Sequence, residues 1–466
     1  MKQPASHSRT IYLIVLILVG LFPLYSAPLT TEDLKASLRT NTELLLLQEE
    51  ITQAQLDVKD AKAMFWPNIE LDFSATWMKN PPIGPITINL DNFYEVITGS
   101  PPLTPFDPPT VTLYEGMDPL IYSTGITLTQ PIFTWGKRSH ALKLSEAMVL
   151  VKRNQLQNQN RTLFSELETR LASVTHLKAI LALLQQQEQL AHELVFLAQQ
   201  ASQSGMLLAL EVGETRLQVQ QITMAKLEIQ HAIDTQILEL QRLSGRKDVS
   251  ATNIFQSYDE ETLTSFLETP VSALVDKALA ADQPALMAVS TFEKITTEAE
   301  KIAKGSFYGK PDVALVINAT YGGPKFPIID SDWQEKDTYD LTVSVGFKTT
   351  LWDGGKILNE IRRAASQSES ARIQSQSVRQ QIEQKVRENH VKLTMTVEKL
   401  QNQQEKTETL TQRKLLNAQL AEAGLQGRQQ TLIAEIEVLA SQIEEEQLKM
   451  NLSQYINILK ALTYNF

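Results

Sequence analysis

Two long stretches of the chain, residues 137–204 and 356–423, contain neither glycine nor proline. Apolar side chains recur in both at intervals of three and four, with polar residues between them, which is typical of a helix with a narrow apolar seam. In the first stretch these positions are Leu163, Leu167, Leu171, Val174, Leu177, Leu181 and Leu184. Each stretch counts 68 residues, so an unbroken helix would be about 100 Å long. The pattern alone leaves open a cytosolic coiled coil or a spectrin-like rod.

Shorter helical patterns accompany the two long ones. Gly205 and Gly424 follow the long stretches, at the position where helices favour glycine. The shorter helices predicted from the pattern cover about 206–243, 425–462, 30–65 and 272–304, the last interrupted only by Pro284. Each is close to half the length of a long stretch, so one long helix can pair with two short helices stacked end to end.

Four segments alternate strictly between apolar and polar residues, which predicts half-buried strands. They cover about 68–78, 121–132, 312–321 and 339–350. Each is roughly 10 residues long, the length that a tilted membrane strand needs. A soluble sandwich would show the same alternation, so this pattern leaves both possibilities open.

The second half of the chain repeats the first. Adding 219 to the residue numbers aligns 121–245 with 340–464 without a gap, and the earlier part of the repeat follows an offset of 244. The extra 25 residues fall in the proline-rich segment 80–119, which we expect to be extended and without a core of its own. The predicted organisation is a leader (1–27), a first repeat (28–245), a linker (246–270) and a second repeat (271–466).

The N-terminus has the features of a secretory signal peptide. Lys2 and Arg9 precede the apolar run 11–21, and small residues near Ser26 and Ala27 would suit cleavage. The apolar run is shorter than the roughly 20 residues of a spanning helix. The chain contains no cysteine, which excludes disulfides and a lipid-anchoring cysteine.

The composition argues against several kinds of chemistry. The net charge of −11 does not suit nucleic acid, which needs a basic footprint. The six histidines show no metal-ligand spacing, and the motifs of zinc proteases, serine hydrolases and nucleotide-binding loops are not found. We therefore expect no enzyme activity, no metal and no cofactor.

The predicted strands require partners if they lie in a membrane. Four strands cannot close a membrane barrel of useful bore, and lipid does not tolerate open sheet edges. Three copies would supply 12 strands and 12 helical staves, each stacked pair counting as one. A strand bundle that continues into a helical bundle favours a channel.

Several short motifs at these repeated offsets resemble those of the TolC-like outer membrane efflux protein family (outer membrane factors). They are the proline-led strand starts at 61–67 and 303–311, the aromatic-glycine turns at 128–138 and 350–356, and the tip glycines Gly205 and Gly424. Each motif is weak alone, but their consistent offsets over nearly the whole mature chain make the set specific.

The resemblance implies an α+β membrane protein with two structural repeats, each of two strands and long helices. Three copies would form a 12-stranded barrel in the outer membrane, continuous with an α-helical barrel in the periplasm. Implied partners are outer membrane lipid, a periplasmic adaptor at the helical tips and an inner-membrane pump of the RND, ABC or MFS type. The implied role is passive, gated exit in tripartite efflux or type I secretion.

The tips carry the candidate site residues. Related channels often place acidic residues six and nine positions after the second tip glycine, but this chain has Gln430 and Ile433 there. Glu211 and Glu214 hold the same spacing in the first repeat, on one helix face. Our hypothesis is that they form an acidic aperture; a solvated helix face is the alternative.

The turns themselves are candidates for adaptor docking, because apolar residues on an exposed turn favour a partner. The residues concerned are Gly205, Met206, Leu207, Gly424, Leu425 and Gln426. Local packing under the turn is the alternative. Trp66, Trp77, Trp135 and Trp352 suit interfacial belts or, for Trp66 and Trp135, core or equatorial packing. The acidic run 444–446 suits a solvated face.

Two other classes of protein remain as alternatives. A structural coiled coil at the cell surface would leave the four amphipathic strands without a purpose. A periplasmic adaptor would need one hairpin flanked by β-rich halves, whereas this chain has two equivalent hairpins. The sequence does not identify the transported substrate, since selectivity in such systems lies mostly in the pump.

Overall fold

The computed structural model describes residues 31–251, 254, 260–331 and 339–463. The predicted leader lies outside these residues. In chain order the helices are α1 (Thr31–Ser37, followed by the 3-10 turn Leu38–Thr40), α2 (Thr42–Ala63), α3 (Leu90–Thr98), α4 (Lys137–Gln203), α5 (Ala209–Ser244), α6 (Glu260–Glu268), α7 (Val271–Ala278), α8 (Pro284–Gly305), α9 (Lys356–Glu422) and α10 (Arg428–Thr463). The strands are β1 (Asn68–Trp77), β2 (Ile86–Asn89), β3 (Thr110–Tyr114), β4 (Leu120–Phe133), β5 (Asp312–Gly323) and β6 (Tyr339–Lys348).

The two long helices are confirmed. Helices α4 and α9 each contain 67 residues without a break. Gly205 and Gly424 follow them in the left-handed conformation, with φ of 74° and 70°. Glycine adopts this conformation without the steric cost of a Cβ atom, so it ends a helix and reverses the chain.

Two of the shorter helices differ from their prediction. The segment 30–65 is divided at the buried Asn41, whose side-chain amide donates to Leu243 O at 2.9 Å and whose Oδ1 accepts from Glu43 N at 2.9 Å. An asparagine that caps the following helix and binds another chain segment ends one helix and begins the next. The segment 272–304 likewise consists of α7 and α8, with residues 279–283 between them.

The chain forms two compact units. The helical unit comprises the described parts of 1–53, 149–292 and 372–466, and the sheet unit comprises 54–148 and 293–371. In the helical unit the apolar seams of the helices form its clusters of buried side chains, including Leu167, Leu171 and Val174 of α4, and Leu393 of α9 with Leu452 of α10. The seams predicted from period and spacing are therefore the core of this unit.

Polar contacts show which helices are neighbours in the helical unit. Glu188 of α4 binds Lys226 of α5 at 2.5 Å. On another side, Gln187 of α4 donates to Ile436 O of α10 at 3.3 Å. Gln403 of α9 donates to a hydroxyl of α10 at 2.9 Å. The order across the unit is α5, α4, α10, α9, which leaves α5 and α9 at its two sides.

The sheet unit contains a four-stranded antiparallel sheet with the strand order β1-β4-β5-β6. All four strands lie where the period-two alternation predicts them. The segment 80–119 differs from the expected extended loop, because it contains the β2–β3 hairpin and helix α3. Asn89 caps α3 by accepting from Asp91 N and Asn92 N, and Gly99 ends it. None of the residues of α3 is buried, so this helix contributes no core.

Candidate membrane-facing sheet and helical tips

One face of the four-stranded sheet is apolar across all four strands. The strand register places side chains of the same face side by side. Two complete cross-strand rows are Ile69–Leu128–Ile317–Val343 and Leu71–Ile126–Ala319–Leu341. On the two edge strands these apolar side chains are exposed. A contiguous exposed apolar face of this size indicates contact with a membrane or another protein.

The opposite face of the same sheet is polar. Its corresponding rows are Glu70–Thr127–Asn318–Thr342 and Asp72–Gly125–Thr320–Asp340. Thr127 Oγ1 donates to Asn318 Oδ1 at 3.1 Å across β4 and β5. Gly125 leaves room for Asp72, since a Cβ atom at this position would lie 2.5 Å from Asp72 Oδ1. The sheet therefore has an apolar side and a polar side.

The two outer strands each have one unpaired edge within the described residues. Strand β1 pairs only with β4, and β6 pairs only with β5. Exposed aromatic residues lie at the ends of these edge strands: Trp66 and Trp77 for β1, and Tyr339 and Trp352 for β6. Aromatic residues at both ends of an apolar band are typical of the two membrane–water interfaces.

Trp135 occupies a different position from the other tryptophans. Its Nε1 donates to Pro311 O at 3.0 Å, and its ring lies against Phe133 with centroids 5.1 Å apart. It thus joins the turn after β4 to the start of β5. This contact favours the packing alternative for Trp135 over a place in an interfacial belt.

The two helical tips have the same backbone geometry. Met206 N donates to Ala201 O at 2.9 Å, and Leu425 N donates to Leu420 O at 2.9 Å. These are the hydrogen bonds of the Schellman motif, in which the residue after glycine usually packs back onto its helix. Here Met206 and Leu425 instead are 81% and 77% exposed. Leu207 and Gln426 are half-buried beside them.

Glu211 and Glu214 are both exposed, near the start of α5. The Glu211 carboxylate accepts from Leu208 N at 2.8 Å, so it occupies one of the free N–H groups at the start of its own helix.

The second tip carries a cation that the sequence reading missed. Arg428 is the first residue of α10, and it binds Glu193 of α4 at 3.2 Å and Glu435 at 3.4 Å. Its hydrogen bond with Glu193 raises the pKa of Arg428. The two tips therefore differ in charge: the first begins its return helix with a carboxylate cap, and the second with an arginine.

A cluster of charged and polar side chains that the sequence did not predict lies between helices α4 and α10. His176 Nδ1 lies 2.9 Å from Glu446 Oε2, and Lys449 Nζ lies 2.8 Å from Glu446 Oε1. The hydrogen bond from His176, with that from Lys449, lowers the pKa of Glu446 to about 2 against the effect of burial. One member of the acidic run 444–446 thus faces inward, which corrects the expectation of a wholly solvated face.

None of the helices in the described part of the chain has the length and apolarity needed to cross a membrane.

Residues 34–246 match the sequence model of the outer membrane efflux protein family. The resemblance inferred from the sequence is therefore confirmed over this region, and it is a resemblance to a transport family rather than to a family of enzymes. No curated protein sequence matches the chain.

Solved outer membrane proteins, two of them described as channels, share the fold over nearly the whole chain. VceC from Vibrio cholerae is 15% identical with a TM-score of 0.70, covering 93% of this chain and 96% of that one. CmeC from Campylobacter jejuni is 12% identical with a TM-score of 0.71, covering 95% and 90%. The open state of MtrE from Neisseria gonorrhoeae is 10% identical with a TM-score of 0.69, covering 93% and 88%. At these identities the likeness concerns the fold.

Proposed function

We propose that this protein is an outer membrane channel that works as a homotrimer. Each copy would contribute four strands to a 12-stranded barrel and its helices to an α-helical barrel in the periplasm. Substrates would leave through this channel by passive, gated diffusion, in a tripartite efflux or type I secretion system. The single observation that carries the proposal is the four-stranded sheet, with its apolar face, polar face and two free edges.

The strand directions support closure by several copies. Because all neighbouring strands in β1-β4-β5-β6 are antiparallel, β1 and β6 run in opposite directions. Strand β6 of one copy can therefore pair with β1 of the next in the antiparallel manner, which suits a barrel of alternating strands. Closure removes the free edges, and lipid then meets only the apolar face.

The sides of the helical unit support the same assembly. Helix α5 presents Leu210, Leu217, Met224 and Leu238 at intervals of seven, with His231 completing the series, and all five are exposed. Helix α9, on the other side, exposes Val391, Met395 and Leu416. Apolar residues at intervals of seven are typical of a seam between helices. We infer that α5 of one copy packs against α9 of the next.

The implied partners follow from the proposed position in the envelope. The barrel would contact outer membrane lipid, and the tips would contact a periplasmic adaptor. An inner-membrane pump of the RND, ABC or MFS type would supply the energy, because exit through the proposed channel is passive.

The assembly is tested on the full-length protein purified in detergent. We expect a mass about three times the 52.3 kDa of one chain, and discrete single-channel conductance in planar bilayers. Leu217→Glu should lower the trimer fraction, whereas Gln220→Glu, which places the same charge at an exposed polar position of α5, should leave it unchanged. A monomer without conductance would overturn the proposal.

We further propose that Glu211 and Glu214 form an acidic aperture at the tip. Three copies would bring six carboxylates together, which would attract cations and repel one another. Glu214→Gln should reduce cation selectivity in single-channel recordings. Glu211→Gln keeps an oxygen acceptor for Leu208 N, so any change in its selectivity reflects charge rather than loss of the cap. Unchanged selectivity in the double mutant would leave both residues as a solvated face.

The exposed turns are proposed as the docking surface for the adaptor. The residues concerned are Gly205, Met206, Leu207, Gly424, Leu425 and Gln426. The high exposure of Met206 and Leu425, on turns whose geometry usually buries such residues, supports this assignment. Photo-crosslinkers at Met206 and Leu425 should capture a purified periplasmic adaptor protein, whereas one at Gln220 should not. Capture only at mid-helix positions would refute docking at the tips.

A further inference from the structure

The segment that follows β5, residues 324–331, is folded onto the sheet. The ring of Phe326 lies edge-on to Tyr122 with centroids 5.0 Å apart, and 5.6 Å from Phe73. The hydroxyl of Tyr321, near the end of β5, donates to Lys325 O at 2.5 Å. Tyr321 and Pro327 are both buried in this arrangement. The segment is therefore a packed turn with contacts to three strands.

The register shows on which face of the sheet this turn lies. Phe73 pairs with Thr124, which pairs with Tyr321, and Tyr122 pairs with Ala75. Side chains two residues apart on a strand share a face, so all of these side chains belong to the apolar face. The turn thus covers the apolar face at the end where β5 finishes and β6 begins.

Two isoleucines of this turn are not covered by any of the residues that the structure describes. Ile328 and Ile329 are 83% and 76% exposed, although they directly follow the buried Pro327. Ile328 also has a φ of 75°, a left-handed conformation that β-branched residues rarely adopt. The turn holds Ile328 in this conformation while its side chain contacts no core, so its own packing does not account for the arrangement.

The apolar face of the sheet is shorter than the apolar band of a membrane barrel, which gives a reason for exposed apolar residues in the turn. From Tyr339 to Phe347 the apolar positions of β6 span eight residue steps, or about 27 Å along the strand. A strand tilt of about 40° reduces this to about 21 Å, whereas the apolar band of membrane barrels is roughly 25 Å tall. Additional apolar surface at the outer end of the face would supply the difference.

We propose that residues 326–329 form a membrane-inserted wedge, in which Ile328 and Ile329 enter the hydrocarbon of the outer leaflet. Lys325 and Asp330 flank the apolar residues in the chain and would lie at the headgroup level. The occupant of this surface is lipid, because the turn continues the apolar face without a break through the aromatic contacts of Phe326. The inference rests on the proposed function, in which that face meets the membrane.

The absence of cysteine from the chain allows a clean test by single-site spin labelling. Ile329→Cys in the full-length protein would carry a nitroxide label, and so would Val343→Cys on the apolar face and Thr342→Cys on the polar face. Each labelled protein is reconstituted in vesicles of phosphatidylethanolamine and phosphatidylglycerol and checked for trimer mass and conductance. Power-saturation measurements then compare collisions with oxygen, which concentrates in lipid, and with a water-soluble nickel chelate.

We expect the labels at Ile329 and Val343 to favour oxygen, and the label at Thr342 to favour the nickel chelate. A nickel-accessible label at Ile329, with Val343 still in lipid, would overturn the wedge while leaving the proposed function intact. A label at Ile329 inaccessible to both reagents would also overturn it, since the turn would then pack on protein, such as a neighbouring copy. A water-accessible label at Val343 would instead overturn the membrane-facing assignment of the sheet.

Discussion

Replacing Glu446 by glutamine tests whether the buried cluster between α4 and α10 holds the helical unit together. The change keeps the size of the side chain and an oxygen acceptor but removes the charge. The side chain of Glu446 is only 19% exposed, and its partners are His176 at 2.9 Å and Lys449 at 2.8 Å. Ser453 Oγ lies 3.4 Å from the other ring nitrogen of His176. The carboxylate is thus held from two sides.

The size of the effect follows from the pKa of Glu446. Its contacts lower the pKa from 4.5 to about 2, and each unit corresponds to about 1.4 kcal/mol. The charged form of Glu446 therefore contributes about 3 kcal/mol to the free energy of unfolding at pH 7. Because the folded-state pKa is depressed, this contribution is complete above pH 4.5 and is lost as the pH falls toward 2. At pH 3 about 1.5 kcal/mol should remain.

Thermal unfolding followed by circular dichroism measures this difference. With an unfolding entropy of about 2.1 cal/mol/K per residue, Glu446→Gln should lower the Tm by about 3 °C at pH 7 and by about half as much at pH 3. Glu444→Gln is the matched control, since Glu444 forms an exposed pair with Lys406 at 2.9 Å. Such pairs contribute less than about 1 kcal/mol. An equal loss at both pH values, or an equal loss in the control, would refute the reasoning.

Two further predictions concern glycines. Gly205→Ala and Gly424→Ala should each cost about 1 kcal/mol in unfolding free energy, because both glycines have positive φ with open space at the Cβ position. Gly213→Ala, inside α5 with equal space and no positive φ, should stabilise by about 0.5–1 kcal/mol in the same denaturation assay; a loss there would contradict the backbone argument. Gly125→Ala should change the unfolding free energy by only about 0.5 kcal/mol, because its Cβ would meet the carboxylate oxygens of Asp72, the free end of an exposed side chain that can rotate away. A larger loss in Gly125→Ala that Asp72→Ala relieves would show that the Asp72 side chain is fixed in place.

The features best predicted from the sequence are those that a repeating local pattern specifies. Helices α4 and α9 follow from 67-residue runs with a helical apolar period and no breaker. The four strands follow from period-two alternation, and Gly205 and Gly424 follow from the need for a left-handed residue at each turn. In each case the signal lies within a few neighbouring residues of the chain, where periodicity is informative.

The features that the sequence missed depend on partners far away in the chain. Asn41 divides a predicted helix because it binds Leu243 O, 202 residues away. Glu446 leaves the solvated face because His176 lies opposite it, 270 residues away. The segment 80–119 acquires the β2–β3 hairpin and α3 although its many prolines favoured an extended loop. Local composition contains no information about such pairings.

The candidate site residues likewise include some that the sequence located and others that only the structure revealed. Sequence spacing located Glu211, Glu214 and the two tip glycines, but only the structure assigns the Glu211 carboxylate to Leu208 N and brings Arg428 to Glu193. The sequence by itself determined the lengths of the two long helices, the two faces of each strand and the glycine turn at each tip, because these depend on local periodicity and on the freedom of glycine. The tertiary structure decided the strand order, the apolar face that all four strands share and the turn folded onto it. Those features require residues distant in the chain to meet, and register and packing arise only from that meeting.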